Sequence, residues 1–160
     1  MTGPESLREV RILGLPVPLW ERSTQHGDEL VREMALIAGQ QGGDDSGHVP
    51  RRLVRLAAEV RSTYGMFTER ADAQMDAAAQ AGLPVIEEIV YHVPAQVAAV
   101  CQHILEVIAE TDEYCRAGRY LLALATPPDV QAYQQWIVGE FIRQIHGEPP
   151  TSWEQFRSKA

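Results

Sequence analysis

Cysteine is scarce, lysine is nearly absent, and no apolar run is long. The two cysteines are Cys101 and Cys115, too few for the disulfide framework of a small secreted domain. Both fall in one predicted helix, about four turns or ~21 Å apart. They cannot bond to each other while that helix is continuous. Met1 to Glu9 carries charges and no apolar core, so it does not read as a signal peptide. A reduced, cytoplasmic protein is expected. No stretch approaches the roughly 20 apolar residues that a membrane-spanning helix needs. Lys159 is the only lysine, and with a net charge of −8 the chain lacks the basic surface that nucleic acids and anionic membranes require. Also missing are GxGxxG and Walker A patterns, CxxC, HExxH and GxSxG. No cofactor and no catalytic residue is expected.

What is present is proline at the start of amphipathic segments: Pro18, Pro50, Pro94 and the Pro127-Pro128 pair. Proline suits the first helical turn because its fixed φ fits and its missing N–H would be unpaired there. For the last of these, Thr126 is the expected N-cap and Asp129 sits in the positive first turn. From Pro18 to about Ala38 the residues Trp20, Leu30, Met34 and Ile37 recur near a 3.6 period. Gly27 interrupts them at about 1 kcal/mol relative to alanine and suits close approach of another helix. Residues 39–47 read GQQGGDDSG, expected as a flexible loop. The next helix, to about Tyr64, buries Leu53, Leu56, Ala57 and Val60. A break is expected at Gly65, then an alanine-rich helix from Phe67 to Ala81 with Met75 as its largest interior apolar group. Pro94 to about Arg116 is the strongest helix, with Val97, Cys101, Ile104, Ile108 and Cys115 on one stripe and Gly118 at its end. Pro128 to about His146 places Val130, Tyr133, Ile137, Phe141 and Ile145 inward, with Trp136 beside them.

Two segments read as strands: Val10 to Leu15, and Ile86 to Val93 with Ile89, Tyr91 and Val93 on one face. Tyr120 to Leu124 is a third candidate. The fold class is therefore α+β and helix-dominated, with four or five helices on a two- or three-stranded sheet. An all-α bundle is the alternative. At 160 residues one globular domain is expected, ending in an extended tail over 147–160 in which Trp153 and Phe156 can fold back onto the body.

The polar constellations are few. His26, Glu29 and Glu33, with Arg22 one turn before, share one helix face and would ligate a divalent metal if another helix added ligands. Without such ligands they form a solvated ion-pair ladder. Cys101 and His103 are two apart and point to different sides of their helix; Cys101 reads as a small buried hydrophobe. His92 follows Tyr91 with no nucleophile in sight. Arg51, Arg52 and Arg55 form a basic stripe on an acidic chain, either a solvated face or a docking surface for an acidic protein partner. Trp20 and Trp136 would flank an apolar pocket between their helices.

The phrases LGLPVPLWERSTQHGDELVREMALIA, YHVPAQ and DEYCRAGRYLLALATPPDVQAYQQWIVGEFIRQIHGEPP resemble small actinobacterial cytoplasmic proteins associated with partner-switching regulation. In such systems anti-sigma ATPase kinases, STAS-domain antagonists and PP2C-type phosphatases work together. VPAQVAAVCQHILEVIAE is similar to a strand-to-helix step of those ATPases, but their asparagine-bearing helix and glycine-rich lid loops are absent, so ATP binding is not expected. The resemblance implies a non-catalytic regulatory module that meets an anti-sigma ATPase kinase or STAS-domain protein, with a homodimer as a further expectation. The alternatives from the residues are a metal-dependent enzyme or sensor on His26, Glu29 and Glu33, and a small-ligand sensor with an apolar pocket.

Overall fold

The computed structural model describes residues 6–40, 48–118 and 124–159. Its elements run β1 (Arg8–Pro16), α1 (Val17–Gln40), α2 (His48–Gln80), β2 (Val85–Val93), α3 (Val97–Ala117), α4 (Pro128–Ile145) and α5 (Trp153–Ser158). The helices pack on a two-stranded antiparallel sheet, the helix-dominated α+β class. The strands pair, which removes the all-α alternative. The third-strand candidate falls outside the described residues apart from Leu124, as does the expected loop apart from Gly39 and Gln40, which end α1.

Each proline signal lies at or just before a helix start. Pro18 and Pro50 are in first turns, and Pro128 opens α4. Pro94 accepts from Val97 N–H at 3.1 Å and begins a tight turn leading into α3. Thr126 is not the cap of α4. Pro127 holds that position without a side-chain hydrogen bond, and the Thr126 hydroxyl faces His26 instead. The ends of α2 and α4 share one device. Gly82 (φ +70°) and Gly147 (φ +95°) adopt left-handed backbone. Each is followed by a residue whose N–H returns to the carbonyl five back, Leu83 to Ala78 and Glu148 to Arg143, both at 3.0 Å. This is the Schellman ending that glycine permits without steric strain.

Gly65 breaks nothing: α2 runs 33 residues straight through it. A single glycine weakens a helix by about 1 kcal/mol but does not end one whose flanks are held by tertiary packing. The alanine-rich half of α2, expected to bury little, sets Ala71, Met75 and Ala78 into the core against β2. Small side chains let the helix lie close to the strand.

The strands are separated by two long helices yet pair along their length, from Arg8 opposite Val93 to Pro16 opposite Val85, with a gap at Gly14 and Glu87. Val10 and Ile12 face the core, then Leu15; on β2 the buried positions are Ile86, then Ile89, Tyr91 and Val93. Both strands thus shift inward phase at the same level. The left-handed backbone at Gly14 (φ +69°) makes that turn while the register on either side stays the same. The outer edge of β1 is covered by a side chain. Gln144 of α4 accepts from Arg11 N–H and donates to Arg11 C=O, both at 2.8 Å. One amide thereby stands in for a neighbouring strand.

On α4 the innermost face is Val130, Tyr133, Trp136, Gly139 and Glu140. Glu140 is fully buried, and the apolar periodicity had not placed it inward. Its Oε2 accepts from Thr151 N–H at 2.9 Å and from Gln144 Nε2 at 2.8 Å, and Arg143 pairs with its Oε1. One turn earlier Trp136 Nε1 donates to Thr151 C=O at 2.9 Å. Both backbone groups of Thr151 are therefore held by α4. This clamp turns the tail, expected as extended, into a strap followed by the short helix α5, whose Ser152 and Gln155 form a capping box. Trp153 then lies against Trp136 at 5.5 Å and Phe156 at 5.9 Å between ring centroids.

Two cores result. One joins the sheet, the second half of α2, α4 and the aromatics of α5. The other, smaller, is made by Leu30 and Met34 of α1, Leu53 and Leu56 of α2, and Val107 and Cys115 of α3. No described helix is long and apolar enough to cross a membrane.

Candidate functional site

Beside the smaller core, α1, α2, α3 and α4 leave a cleft of about 950 Å³. That is within the range of small-molecule sites, which are concave and mostly apolar with a few placed polar groups. Its apolar walls are Leu30 and Val31 of α1, Leu53, Leu56 and Val60 of α2, and Ile104 and Ile108 of α3. They are the edges of the amphipathic stripes that hold the helices together, so one sequence pattern makes both core and wall. Gly27 on α1 and Gly65 on α2 also border it. A Cβ added at either would meet nothing within 4 Å. These glycines therefore serve no close helix approach, contrary to the expectation for Gly27; they widen the space at about 1 kcal/mol of helix stability each.

The polar lining has two parts. On one side His26 Nε2 lies 3.2 Å from the hydroxyl of buried Thr126. Thr126 N–H donates to Asp112 Oδ1 at 2.6 Å, and Arg116 Nε donates to Asp112 Oδ2 at 2.8 Å. Burial lowers the His26 pKa, only partly opposed by the charges of Glu29 and Asp112. Burial would raise Asp112, but hydrogen bonds from Thr126 and Arg116 outweigh it and hold the carboxyl below its usual range. His26 is thus a neutral, oriented imidazole at ordinary pH. On the other side, α2 presents Glu69, Asp72 and Asp76 at the rim. Thr68 Oγ1 donates to Asp72 Oδ2 at 3.1 Å. Burial raises the Asp72 pKa, the Thr68 bond opposes it, and Asp76 adds to the rise. Gln134 of α4 completes the lining, and its Oε1 is buried without a hydrogen-bond partner among the described residues.

Of the candidates from the sequence, only His26 reaches this cleft. Glu29 accepts from Gln25 Nε2 at 3.3 Å, and among the described residues no group of three or more His, Cys, Asp or Glu is placed to hold a metal ion. His26, Glu29 and Glu33 are thus not gathered into a ligand set. Arg22 turns away to pair with Asp129 of α4. In the arginine stripe, Arg52 binds Glu110 of α3 at 2.6 Å, while Arg55 is exposed. His92 lies 3.7 Å from Glu9 and His103 lies 3.8 Å from Glu106, both pairs on the surface. Cys101 and Cys115 are buried free thiols in one continuous helix. Burial pushes Cys101 up to about 12, so it packs as a hydrophobe and does not act as a nucleophile.

The helices of Trp20 and Trp136 both border the cleft, the second through Gln134, but its walls come mainly from α1, α2 and α3 rather than from those two helices. Neither tryptophan lines it: both belong to the core at the sheet end. The residues missed were Tyr64, Thr68, Glu69, Asp72, Asp76 and Gln134. A trace was legible, since Thr68, Asp72 and Asp76 recur every four residues on one helix face. The expected break at Gly65 separated them from the apolar wall of the same helix. No family model, no curated protein and no solved structure matches the chain.

Proposed function

We propose that this protein is a non-catalytic regulatory module that senses a small, mostly apolar molecule bound in the cleft. One observation carries the reading: an apolar space of about 950 Å³ bordered by two helix-interior glycines at which an added Cβ would meet nothing within 4 Å. Glycines in helix interiors weaken the fold, and here no backbone contact repays them, so the room itself is their physical use. The polar side of the cleft supports binding over turnover. His26 is engaged by Thr126, and neither buried cysteine lines the space.

The test is calorimetric titration and thermal shift of the full chain against a library of small apolar and amphiphilic molecules, with Gly27→Leu as the filled-cleft control. Saturable binding by the native chain that disappears in Gly27→Leu, with helicity retained, is the expected result. Binding that survives the filled cleft would place the ligand elsewhere and remove this assignment.

A second reading has a specific observation behind it, the exposure of Arg55 beside Arg51 and Arg52 at the start of α2. In it the stripe docks an acidic protein, such as an anti-sigma ATPase kinase or STAS-domain protein of a partner switch. Reversing charge at Arg55 alone leaves the Arg52–Glu110 bridge intact. Direct titration of such a partner should weaken about tenfold in Arg55→Glu if a desolvated charge pair is lost. An unchanged affinity would rule the stripe out as the docking site.

A further inference from the structure

We propose that the ligand of the cleft is an organic cation, an apolar body carrying a protonated amine, with the amine seated at the Asp72–Asp76 rim and the body between the leucine and isoleucine walls. This rests on the ligand-binding reading above and adds the chemical class.

The argument begins with charge balance. Five arginines elsewhere pair with carboxylates: Arg11 with Glu88, Arg22 with Asp129, Arg52 with Glu110, Arg116 with Asp112 and Arg143 with Glu140. Glu69, Asp72 and Asp76 line the cleft, yet no ion pair engages any of them among the described residues. Among the described residues Arg61 is the only arginine lining the cleft, and it stands eleven residues before Asp72 on the same helix, about 16 Å along its axis. At that distance in water its field is largely screened.

The field of the acids reaches inward. The phenol of buried Tyr91 is pushed above its ordinary value, first by burial and then by the charge of Asp72. Within the lining, the buried polar atom without a partner among the described residues is an acceptor, Gln134 Oε1. Acceptors on two sides of an apolar space call for a ligand that donates. A protonated amine does so and also supplies the missing positive charge.

A metal ion does not fit the same carboxylates. They are spread at i, i+3 and i+7 along one helix, about 10 Å from end to end, and form no converging ligand group. A neutral donor would leave the repulsion between Asp72 and Asp76 uncompensated. An anionic ligand would meet those carboxylates directly.

The experiment uses matched triplets on two apolar bodies: octylamine, octanol and octanoate, and 4-phenylbutylamine, 4-phenylbutanol and 4-phenylbutyrate. Each is titrated calorimetrically into the full chain at neutral pH and low salt, and again into Asp72→Asn/Asp76→Asn. Both positions are exposed on a helix, so the variant keeps its fold, checked by circular dichroism. The amines should bind about tenfold or more tighter than their alcohols, as a charge-assisted contact predicts, with the carboxylates weakest. In the double variant the amine advantage should vanish while alcohol affinity stays. Amines and alcohols of equal affinity in the native chain, both blocked by Gly27→Leu, would overturn the cation and leave the apolar-ligand reading standing. No binding by any member of either triplet would overturn both.

Discussion

The two ends of this molecule solve the same packing problem differently. At the sheet end, strands, helices and aromatic rings fill the interior. Several polar groups there are clamped: Thr151 by Trp136 and Glu140, Arg11 by Gln144, Glu140 by Arg143 and Gln144, while the buried Tyr133 hydroxyl has no partner among the described residues. At the helical end six buried side chains hold three helices together beside a cleft of about 950 Å³. The sheet end therefore anchors the fold. The helical end has the room and the local freedom that a binding site needs.

The sharpest way to break this comparison is at Glu140. Glu140→Ala should destabilise the protein by about 3–5 kcal/mol, the range for removing one partner of a buried charged network. Arg143, Gln144 and Thr151 N–H would all lose a partner, and equilibrium urea unfolding would read the loss. A value below about 1 kcal/mol, the level of an exposed ion pair, would show that the clamp is not a stabilising feature.

A matched pair comes next. Ile12→Ala in the filled core should cost about 4 kcal/mol, and Leu56→Ala on the cleft wall about 2 kcal/mol, the two ends of the usual range for such truncations. Leu56 already faces open space on one side and has fewer contacts to lose. Equal losses, by the same denaturation measurement, would mean that the helical end is as tightly packed as the sheet end.

Smaller and opposite in sign is Gly65→Ala. The position has helical backbone and empty space around it, so the alanine should stabilise by about 1 kcal/mol. A rise in melting temperature at reduced ligand affinity would join stability and function at one residue. A fall in melting temperature would show that Gly65 is there for the fold.

The smallest effect is set by pH. The His26 pKa is lowered in the folded chain from its ordinary 6.5, so the unfolded chain binds that proton more readily. Its contribution is complete above the unfolded value and is lost as pH falls from there through the folded value. His26→Gln should flatten the decline in urea midpoint as pH falls below about 7. A decline as steep as in the native chain would assign that pH dependence to other groups.

Much of the architecture is legible in the sequence. The starts of α1, α2, α3 and α4 follow from Pro18, Pro50, Pro94 and Pro128, and the end of α3 from Gly118. Alternation at Ile89, Tyr91 and Val93 marked β2 and its inward face. Other features escaped for definite reasons. Gly65 was read as a stop because glycine weakens helices, and whether it ends one depends on packing three turns away at Met75 and Ala78. Glu140 fell outside the apolar stripe of α4 because a carboxylate carries no hydrophobic signal, and its partners include Thr151, eleven residues on. Of the candidate site, His26 was noticed for metal chemistry, whereas the tertiary structure ties it to Thr126, a hundred residues away.

The sequence by itself determined where most of the helices and strands begin and which way they face, but not that α2 runs through Gly65 or that the tail ends in α5. The legible signals are local: a proline's fixed φ, a glycine's access to left-handed backbone, and the 3.6- and 2-residue periods of apolar side chains. Only the tertiary structure decided that Glu140 is buried and satisfied, that the tail is strapped to α4, and that Gly27 and Gly65 border the same empty space. Each of these depends on groups far apart in the chain arriving within hydrogen-bonding or van der Waals reach. The free energy of burying a charge or leaving a gap is set by those neighbours and not by the residue alone.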